Sequence, residues 1–327
     1  MSKLRVGIIG AGYIGGLHAA VLARDDRVRV AAVHDAAGER AERLAESTKA
    51  EIANSVAELI EAVDAVFITT PNTKHTAIAR AAIDAGKHVF CEKPVSTTIE
   101  EARLVLNAAS GSKSVFQVGH NRRFAPVYTT LKEMLSESGP PHSAHVKMNR
   151  GELINPEWVG DPQVTGGFLY ETPIHMFDMM RFLFGEVASL DAVGSSHEYP
   201  ESDDFSVLLR FENGMHATLA TSADASWLFP YERVEVFCHH RTLITREMES
   251  ITQSEGLDGK HITLTMQQLS KEEKGGYVQE DRAFVDSVVE SKPIAVTALD
   301  GFKSVELVDA CYRAVRTGER VYLDTQR

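Results

Sequence analysis

The sequence has few cysteines, an excess of acidic over basic residues and no long apolar run, and each feature excludes a class of protein. Three cysteines without a CxxC pair exclude a disulfide framework and a cysteine-rich zinc site, and they favour a reducing compartment. Lysine and arginine number 34 against 46 acidic residues, which argues against nucleic-acid or anionic-membrane partners. No segment approaches the roughly 18 apolar residues of a membrane-spanning helix, and glycines interrupt the N-terminal stretch. We predict a cytoplasmic protein.

Short apolar strands alternate with helical segments over residues 1–122. The strands are LRVGII (4–9), VRVAAV (28–33), AVFITT (65–70), KHVFC (87–91) and SVFQVG (114–119). Strands that are apolar throughout and alternate with helices are typical of a parallel sheet covered on both faces. The pattern predicts an α/β fold that begins with a doubly wound, Rossmann-type domain.

The pattern changes from residue 123 to residue 327. Several segments between 189 and 269 alternate apolar and polar residues, and FENGMH contains an Asn-Gly hairpin turn. We expect a C-terminal α+β domain with a large, mostly antiparallel open sheet, a long loop over 151–167, and a helix near 298–316 that packs back on the first domain. The apolar face of an open sheet needs a cover, so we predict a homodimer or homotetramer.

A glycine motif follows the first predicted strand and opens a helix. It reads Gly10-Ala11-Gly12-Tyr13-Ile14-Gly15, which is GxGxxG. In this context the glycines allow a tight turn and a close approach to a pyrophosphate at the helix N-terminus. Asp35 lies twenty residues after Gly15, where a carboxylate binds the ribose hydroxyls of a dinucleotide. The alternative is a glycine-rich turn with an unrelated capping aspartate.

Asp35 also predicts the choice of cofactor. A carboxylate at this position repels a 2′-phosphate, and neither Ala36 nor Ala37 offers a positive charge or a hydroxyl to hold one. We therefore predict NAD rather than NADP.

The segment GKHVFCEKP at 86–94 runs from apolar residues into Glu92, Lys93 and Pro94. The simple interpretation is a strand that reaches solvent, where charges are hydrated and proline stops the ladder. The alternative is a strand end that carries a reactive lysine. The tripeptide by itself leaves both interpretations open.

Longer strings resemble the Gfo/Idh/MocA oxidoreductase family. They are ITTPNTKHTAIARAAIDAGKHVFCEKP, VGHNRRFAP, TGGFLYETPIHMFDMMRFLFG and YVQEDRAFVDSVVESKPIAVTALDG. The resemblance implies that Glu92 and Lys93 are the family's signature pair, with the lysine beside the nicotinamide and the reacting hydroxyl. It also implies cofactor contacts along the segment that passes the nicotinamide ribose, at Thr70, Pro71, Asn72 and His75.

His175 is the candidate general base. Histidine suits proton transfer near neutral pH. Thr172 and Pro173 predict an N-cap followed by the first helical residue, which places His175 in the first turn, where the helix dipole favours the neutral ring. The family usually has aspartate where this chain has Glu171, and Asp178 matches a second family position. The alternative role for His175 is structural, at the helix N-terminus.

The remaining site residues are implied by the resemblance. Substrate contacts fall at Arg123, Asn149, Arg150 and Tyr231, and each also fits surface or sheet packing. We predict no metal site, because no HxxxH pair or cysteine cluster accompanies Glu171, His175 and Asp178.

Together these features predict an NAD(P)-dependent dehydrogenase acting on CH-OH groups. Its substrate is expected to be a sugar, a sugar derivative or a cyclic polyol such as an inositol. One alternative is a keto-sugar reductase that runs in the opposite direction. The other is a non-catalytic nucleotide-binding sensor with the same fold.

Overall fold

The structure is a computed structural model that describes residues 2–150, 157–226, 231–256 and 259–323. The chain divides into two compact units. The first contains residues 1–120 and 277–305, and the second contains residues 121–276 and 306–327. Residues 277–305, which the sequence analysis assigns to the second domain, are therefore part of the first unit. In the described part of the chain, no helix combines the length and the apolar character needed to cross a membrane.

The strands and helices follow one another in the order that the sequence predicts. The strands are β1 Leu4–Ile9, β2 Val28–His34, β3 Glu51–Ile52, β4 Ala65–Ile68, β5 His88–Glu92, β6 Phe116–Gly119, β7 Ser143–Met148, β8 Val187–Ser195, β9 Asp204–Phe211, β10 His216–Ser222, β11 Glu232–Cys238, β12 Arg241–Arg246, β13 Ser250–Glu255, β14 Lys260–Thr265 and β15 Val321–Tyr322. The α-helices are α1 Tyr13–Leu22, α2 Gly38–Thr48, α3 Val56–Ala62, α4 His75–Asp84, α5 Ile99–Ser110, α6 Pro126–Ser138, α7 Pro162–Thr165, α8 Phe168–Glu171, α9 Ile174–Phe184, α10 Lys271–Lys274, α11 Tyr277–Glu290 and α12 Ala298–Thr317.

Among the residues described, six strands form the sheet of the first unit in the order β3-β2-β1-β4-β5-β6. Every neighbouring pair is parallel, which confirms the predicted doubly wound sheet. The order reverses between β1 and β4, and ligands bind at such a switch point, outside the carboxyl ends of the strands. The sequence analysis missed β3, because two exposed residues give no apolar run.

The core of the first unit joins distant parts of the chain. The rings of Phe67 on β4 and Phe90 on β5 stack with centroids 4.5 Å apart, and Phe284 on α11 meets Phe67 edge-on at 5.1 Å. All three side chains are buried. Because edge-to-face and stacked contacts between buried rings add to their burial energy, α11 is an integral part of this unit.

The helices of the first unit begin and end at residues that the sequence marks. Thr98 caps α5, because its side chain accepts a hydrogen bond from the backbone N–H of Glu101. Gly86 follows α4 with φ +70°, a conformation that glycine adopts without strain.

The second unit contains a sheet of nine strands in its described residues, in the order β14-β13-β12-β11-β7-β10-β9-β8-β15. The predicted Asn213-Gly214 hairpin is confirmed, since β9 and β10 pair antiparallel and Gly214 has φ +87°. The sheet is mixed, however. β7 pairs antiparallel with β11 and parallel with β10, because a long crossover that includes α9 separates β7 from β10 and the chain re-enters from the same end.

Two helices of the second unit pack on its sheet, α6 against β12 and β13, and α9 against β7. The predicted loop over 151–167 contains helical turns instead. A 3-10 helix at Glu157–Gly160 is followed by α7, which starts where the Asp161 side chain accepts a hydrogen bond from the N–H of Gln163. Residues 151–156 lie outside the described residues.

Candidate active site

The glycine motif forms the turn between β1 and α1. Gly10 has φ +101°, and a Cβ there would lie 2.6 Å from the carbonyl oxygen of Thr69, so only glycine fits. A Cβ at Gly15 would lie 2.0 Å from the carbonyl oxygen of Gly10, which shows how closely the helix approaches the strand. The Thr69 hydroxyl donates a hydrogen bond to the Gly10 carbonyl at 2.6 Å. The end of β4 and the turn therefore form one rigid edge.

The middle glycine of the motif leaves open space. Gly12 is the N-cap of α1 and has no side-chain cap, and a Cβ built on it would meet nothing within 4 Å. Tyr13 is exposed and Ile14 is half-buried. A helix N-terminus with free N–H groups and an open approach binds anions, so this turn fits the pyrophosphate of a dinucleotide.

Asp35 follows β2 at the same edge of the sheet. Its carboxylate accepts hydrogen bonds from the backbone N–H groups of Ala11 at 2.7 Å and Ala37 at 2.8 Å. The side chain is fixed and 8% exposed, at the position where a carboxylate binds ribose hydroxyls.

Arg40 was missed by the sequence analysis. Its Nε lies 3.2 Å from an Asp35 oxygen, and its side chain is 46% exposed. The prediction of NAD considered only the two residues that directly follow Asp35. The first turn of α2 brings Arg40 back to the carboxylate, and a basic residue five positions after the aspartate was the available signal.

The segment after β4 lies beside the lysine segment and is bonded to it. His75 is buried, and its Nδ1 lies 2.7 Å from the Pro94 carbonyl oxygen while its Nε2 lies 2.8 Å from the Thr70 carbonyl oxygen. Burial lowers the pKa of His75, and the two carbonyl contacts oppose that shift. Asn72 is also buried. Within the described residues the buried Thr70 hydroxyl has no hydrogen-bond partner, so this edge offers a polar atom to a ligand.

Glu92 is the last residue of β5 and Lys93 follows it. Glu92 is 8% exposed, so it is not the hydrated charge of a strand that runs into solvent. One carboxylate oxygen lies 3.1 Å from Nε2 of His18, and the other accepts the backbone N–H of Lys93 at 3.2 Å. Burial raises the pKa of Glu92, but His18 outweighs burial and holds it below its usual range. Lys93 is half-buried, and its peptide bond to Pro94 is cis.

His175 belongs to the second unit, in the first turn of α9, as predicted. The expected cap is wrong, however. The N-cap is Pro173, without a side-chain cap, and the Thr172 hydroxyl is buried with no hydrogen-bond partner among the residues described. The reason is that α8 ends at Glu171, and Thr172 is used to turn the chain between the two helices. Glu171 and His175 are both half-buried.

Arg123 binds Asp178 through two parallel hydrogen bonds. Its Nε and Nη2 each lie 2.7 Å from a different oxygen of the buried carboxylate, and its guanidinium lies 5.5 Å from the Phe182 ring centroid. A bidentate pair of this kind fixes both side chains. It therefore ties the 3-10 helix at Asn121–Phe124 to α9, the helix that carries His175.

The other predicted substrate residues lie together at one end of the second sheet. The N–H of Asn149 donates to the carbonyl of Tyr231 at 2.8 Å, and the N–H of Arg150 donates to the carbonyl of Ser222 at 2.8 Å. Because β7 lies between β11 and β10, these three predicted residues lie at the same end of neighbouring strands.

A buried network next to Tyr231 was not predicted. Glu232 is 1% exposed and accepts hydrogen bonds from Arg122 at 2.8 Å and from the Tyr128 hydroxyl at 2.6 Å. Burial, together with Glu232, raises the pKa of Tyr128. Alternation along β11 could not reveal this network, because its members come from three elements.

Comparisons with known proteins cover both units. The family model described as the oxidoreductase family with an NAD-binding Rossmann fold matches residues 4–120, and that family's C-terminal alpha/beta domain matches residues 132–323. The inositol 2-dehydrogenase of Rhizobium meliloti (strain 1021) is 29% identical over 327 residues, which cover 95% of this chain and 97% of the relative.

Two further proteins agree with this assignment. The uncharacterized oxidoreductase YrbE of Bacillus subtilis (strain 168) is 34% identical over 247 residues, 72% of this chain and 71% of the relative. The crystal structure of GenD2 from gentamicin A biosynthesis in complex with NAD has 25% sequence identity and a TM-score of 0.86, and covers 99% of this chain and 97% of that chain. The protein therefore belongs to the Gfo/Idh/MocA family of oxidoreductases, and residues 4–120 are the family's NAD-binding Rossmann domain.

Proposed function

We propose that the protein is an NAD-dependent dehydrogenase that oxidises a ring CH–OH group of a sugar, a sugar derivative or a cyclic polyol such as an inositol. The observation that carries the proposal is the position of Lys93. It directly follows β5, two strands from the glycine turn at the carboxyl edge of the same parallel sheet. The full-length relative named inositol 2-dehydrogenase supports the substrate class.

The first unit fits a dinucleotide. The turn at Gly10, Gly12 and Gly15 holds the pyrophosphate, with Tyr13 and Ile14 opening the helix beside it. The Asp35 carboxylate accepts hydrogen bonds from the ribose hydroxyls. NAD, when bound, supplies the nicotinamide carbon that takes up the hydride. The nicotinamide ribose lies against the segment that contains Thr70, Pro71, Asn72 and His75, and the Thr70 hydroxyl is available to donate a hydrogen bond. Glu92 fixes Lys93 by accepting a hydrogen bond from its backbone N–H.

In this proposal, two side chains have separate roles in the chemical step. As the C–H hydride leaves the carbinol carbon, the hydroxyl must lose its proton and the oxygen gains negative charge. Lys93 stabilises that charge, and His175 accepts the proton at the start of α9, where the helix dipole favours a neutral ring. In the reverse direction, the same groups protonate and polarise a ketone.

The remaining residues of the proposal lie in the second unit. The proposed contacts to substrate hydroxyls are Asn149, Arg150 and Tyr231, since they lie at the same end of the sheet. Glu171, at the end of α8, is proposed to assist catalysis next to α9, the helix that carries His175. Arg123, whose guanidinium binds Asp178 through two nitrogens, is a further proposed substrate residue.

NADH absorbance during a screen of inositols, aldoses and glucosides tests the function. The expected result is a rise that depends on one of these polyols in the wild type and is strongly reduced in Lys93→Met. A protein that binds NAD but oxidises none of the panel, and reduces no keto-sugar when given NADH, would instead be a nucleotide-binding sensor.

We also propose a homodimer or homotetramer built on the sheet of the second unit. A shallow concavity of ≈ 560 Å³ lies along β8, β9 and β10 and includes the outward residues Val193, Leu208 and Ala220. Val193 is 70% exposed. Apolar patches on an open sheet favour contact with a second copy. The cytoplasmic location stays a prediction from the cysteine content, and all three cysteines are unpaired and buried.

A further inference from the structure

Three ionisable side chains from three distant elements meet in the interior of the first unit. His18 lies on α1, Glu92 ends β5 and Asp281 lies on α11. Nδ1 of His18 is 2.7 Å from an Asp281 oxygen, and Nε2 is 3.1 Å from a Glu92 oxygen. His18 is 0% exposed, Asp281 1% and Glu92 8%. A buried group of this kind is costly unless every member is paired.

Aromatic rings enclose the imidazole. The centroids of Phe90, Phe67 and Tyr277 lie 4.9, 5.4 and 5.8 Å from that of His18. These rings exclude water, so hydrogen bonds between the charged groups are stronger than they would be at the surface. The two hydrogen-bonded contacts of His18 are therefore shielded and fixed in direction.

The contacts determine the protonation state of His18. A carboxylate only accepts hydrogen bonds, and each ring nitrogen faces a carboxylate oxygen, so both nitrogens carry a proton. Burial lowers the pKa of His18, but Asp281 and Glu92 outweigh burial and raise it well above its usual value. Glu280 also faces the group, with an oxygen within 4.8 Å of ligand atoms of His18 and Glu92. Lys93 adds positive charge near Glu92.

The same contacts lead to Lys93. The Glu92 oxygen that is not bonded to His18 accepts the backbone N–H of Lys93 at 3.2 Å. Gly119 lies opposite Glu92 on β6, and a Cβ there would be 2.9 Å from the oxygen that faces His18. The Glu92 carboxylate is thus held in place by the His18 imidazolium, the backbone N–H of Lys93 and the close backbone of Gly119.

Asp281 supports this arrangement through His18. Its second oxygen, Oδ2, is buried and has no hydrogen-bond partner within the described residues. The hydrogen bond to His18 is therefore the polar contact that compensates for burying this carboxylate.

We propose that Asp281, His18 and Glu92 form a buried ion triad that positions Lys93. Asp281 and His18 are positioning residues, since they act on the lysine through Glu92 and its bond to the Lys93 backbone. The triad couples the returning helix α11 to the carboxyl end of β5. This inference rests on the proposed function only where it treats Lys93 as catalytic.

The charge of His18 is tested without turnover. In the protein labelled with ¹⁵N-histidine, NMR should show one ring that keeps both nitrogens protonated well above the ordinary histidine pKa of about 6.5. This signal should be absent in His18→Gln. A neutral His18 ring at pH 7 would overturn the triad.

Asp281→Asn tests positioning, because it removes the charge and keeps the volume. Once a substrate is known, kcat should fall about 10- to 100-fold, the range expected when a catalytic group is displaced by about 1 Å. The NAD dissociation constant should stay within about threefold of wild type, since the glycine turn and Asp35 are unchanged. The alkaline limit of kcat should move to lower pH, because His18 then loses its proton more easily. Unchanged kcat, or equal losses of kcat and NAD affinity, would refute positioning.

Asp286→Asn is the matched control. Asp286 lies on the same helix, but it binds Arg27 and Lys292 near the surface, 2.8 and 2.7 Å away. The same chemical change there should leave kcat and its pH profile as in the wild type. An equal loss of kcat would show that any loosening of α11 is enough, and would count against the triad.

Gly119→Ala tests the same claim without removing a charge. The new methyl group should push the Glu92 carboxylate away from its place, and kcat should fall although no charged group has been removed. Wild-type kcat in this variant would mean that the position of Glu92 does not control Lys93.

A readout that needs no substrate separates this inference from the proposed function. Limited acylation with acetic anhydride, followed by mass spectrometry, should show a severalfold change in the reactivity of Lys93 in Asp281→Asn, with the exposed Lys113 unchanged. If the wild type oxidises no polyol but this change is seen, the proposed function fails and the triad stands. If turnover is found and the reactivity of Lys93 is unchanged, the triad fails and the function stands.

Discussion

The carboxylate of Asp35 accepts a hydrogen bond from the backbone N–H of Ala11, with 2.7 Å between the two atoms. Asp35, the residue proposed to bind the ribose, is thus hydrogen-bonded to the backbone in the middle of the GxGxxG turn. This bond connects the proposed ribose site to the proposed pyrophosphate site. Arg40 lies against the same carboxylate at 3.2 Å. We therefore expect the choice between NAD and NADP to depend on a pair of opposite charges rather than on Asp35 alone.

Wild-type protein should bind NAD more tightly than NADP, because Asp35 repels a 2′-phosphate and Arg40 is partly neutralised by it. Asp35→Ser should weaken NAD binding and strengthen NADP binding, since the repulsion is lost while Arg40 remains free to bind phosphate. Equilibrium titration of both cofactors measures the shift. The control Arg40→Ala should leave the NAD affinity almost unchanged, and an NADP preference in the wild type would refute the role of Asp35.

Gly12→Ala should separate cofactor binding from stability. The added Cβ meets no protein atom within 4 Å, so the melting temperature should match that of the wild type. The methyl group occupies the space proposed for the pyrophosphate, so the NAD dissociation constant should rise at least about tenfold, which is about 1.4 kcal/mol.

Gly16→Ala is the control on the same helix. Its Cβ also meets nothing within 4 Å, and alanine is a better helix former than glycine by about 1 kcal/mol. NAD binding should be unchanged and stability should be equal or higher. Equal NAD affinity in the Gly12→Ala variant would place the pyrophosphate elsewhere.

Lys93→Met and His175→Ala should each reduce turnover while NAD still binds. Loss of a general base typically costs about 10²–10⁴-fold in rate, and loss of one electrostatic donor about 10²–10³-fold. The double variant should lose much less than the product of the two effects, because in the proposed mechanism both groups act on one proton transfer. Stopped-flow or steady-state NADH formation gives these rates.

Higher pH should partly rescue His175→Ala, where hydroxide replaces the base, and should rescue Lys93→Met less. Near-normal turnover of His175→Ala at neutral pH would return His175 to a structural role at the start of α9.

Stability should fall with rising pH because of His18. Its pKa is raised in the folded state, while in the unfolded chain it is about 6.5. Below the unfolded pKa both states carry the proton and the stabilisation is complete. Between the two values the folded state binds more protons, so the free energy of unfolding decreases by up to about 1.4 kcal/mol per pH unit.

Urea unfolding between about pH 6.5 and 9 measures this slope. His18→Gln should be less stable at pH 6.5 and should have a flatter slope. The exposed His145 on β7, bonded to Thr218 at 2.7 Å, provides the control, since His145→Gln should keep the wild-type slope. An identical slope in His18→Gln would mean that His18 is neutral in the folded protein.

Light scattering at micromolar concentration should give a mass that is a multiple of 35.9 kDa, because Val193, Leu208 and Ala220 form an apolar patch on the outward face of β8–β10. Val193→Glu places a charge in the proposed interface and should shift the mass toward the monomer, whereas Leu104→Glu on α5, also exposed, should not. A monomeric wild type would contradict the assembly.

The first unit was predictable because its signals are local. A turn in which Gly10 needs φ +101°, apolar strands and a carboxylate at a set distance can be recognised from neighbouring residues. The placement of His175 in a first helical turn followed likewise from Pro173 and the apolar spacing after it. The cap at Thr172 was wrong because two short helices compete for that residue, and no local pattern shows where the first one stops.

Other features depend on residues that are far apart in the sequence. The sequence by itself determined the alternation of strands and helices in the first unit and the glycine turn, since periodicity and turn chemistry act between neighbours. Only the tertiary structure decided that β7 pairs parallel with β10, that Arg40 returns to Asp35, and that α11 brings Asp281 to His18 across 263 positions. The physical reason is that burial forces each polar group to find a partner, and the nearest partner in space is set by the packing of whole elements.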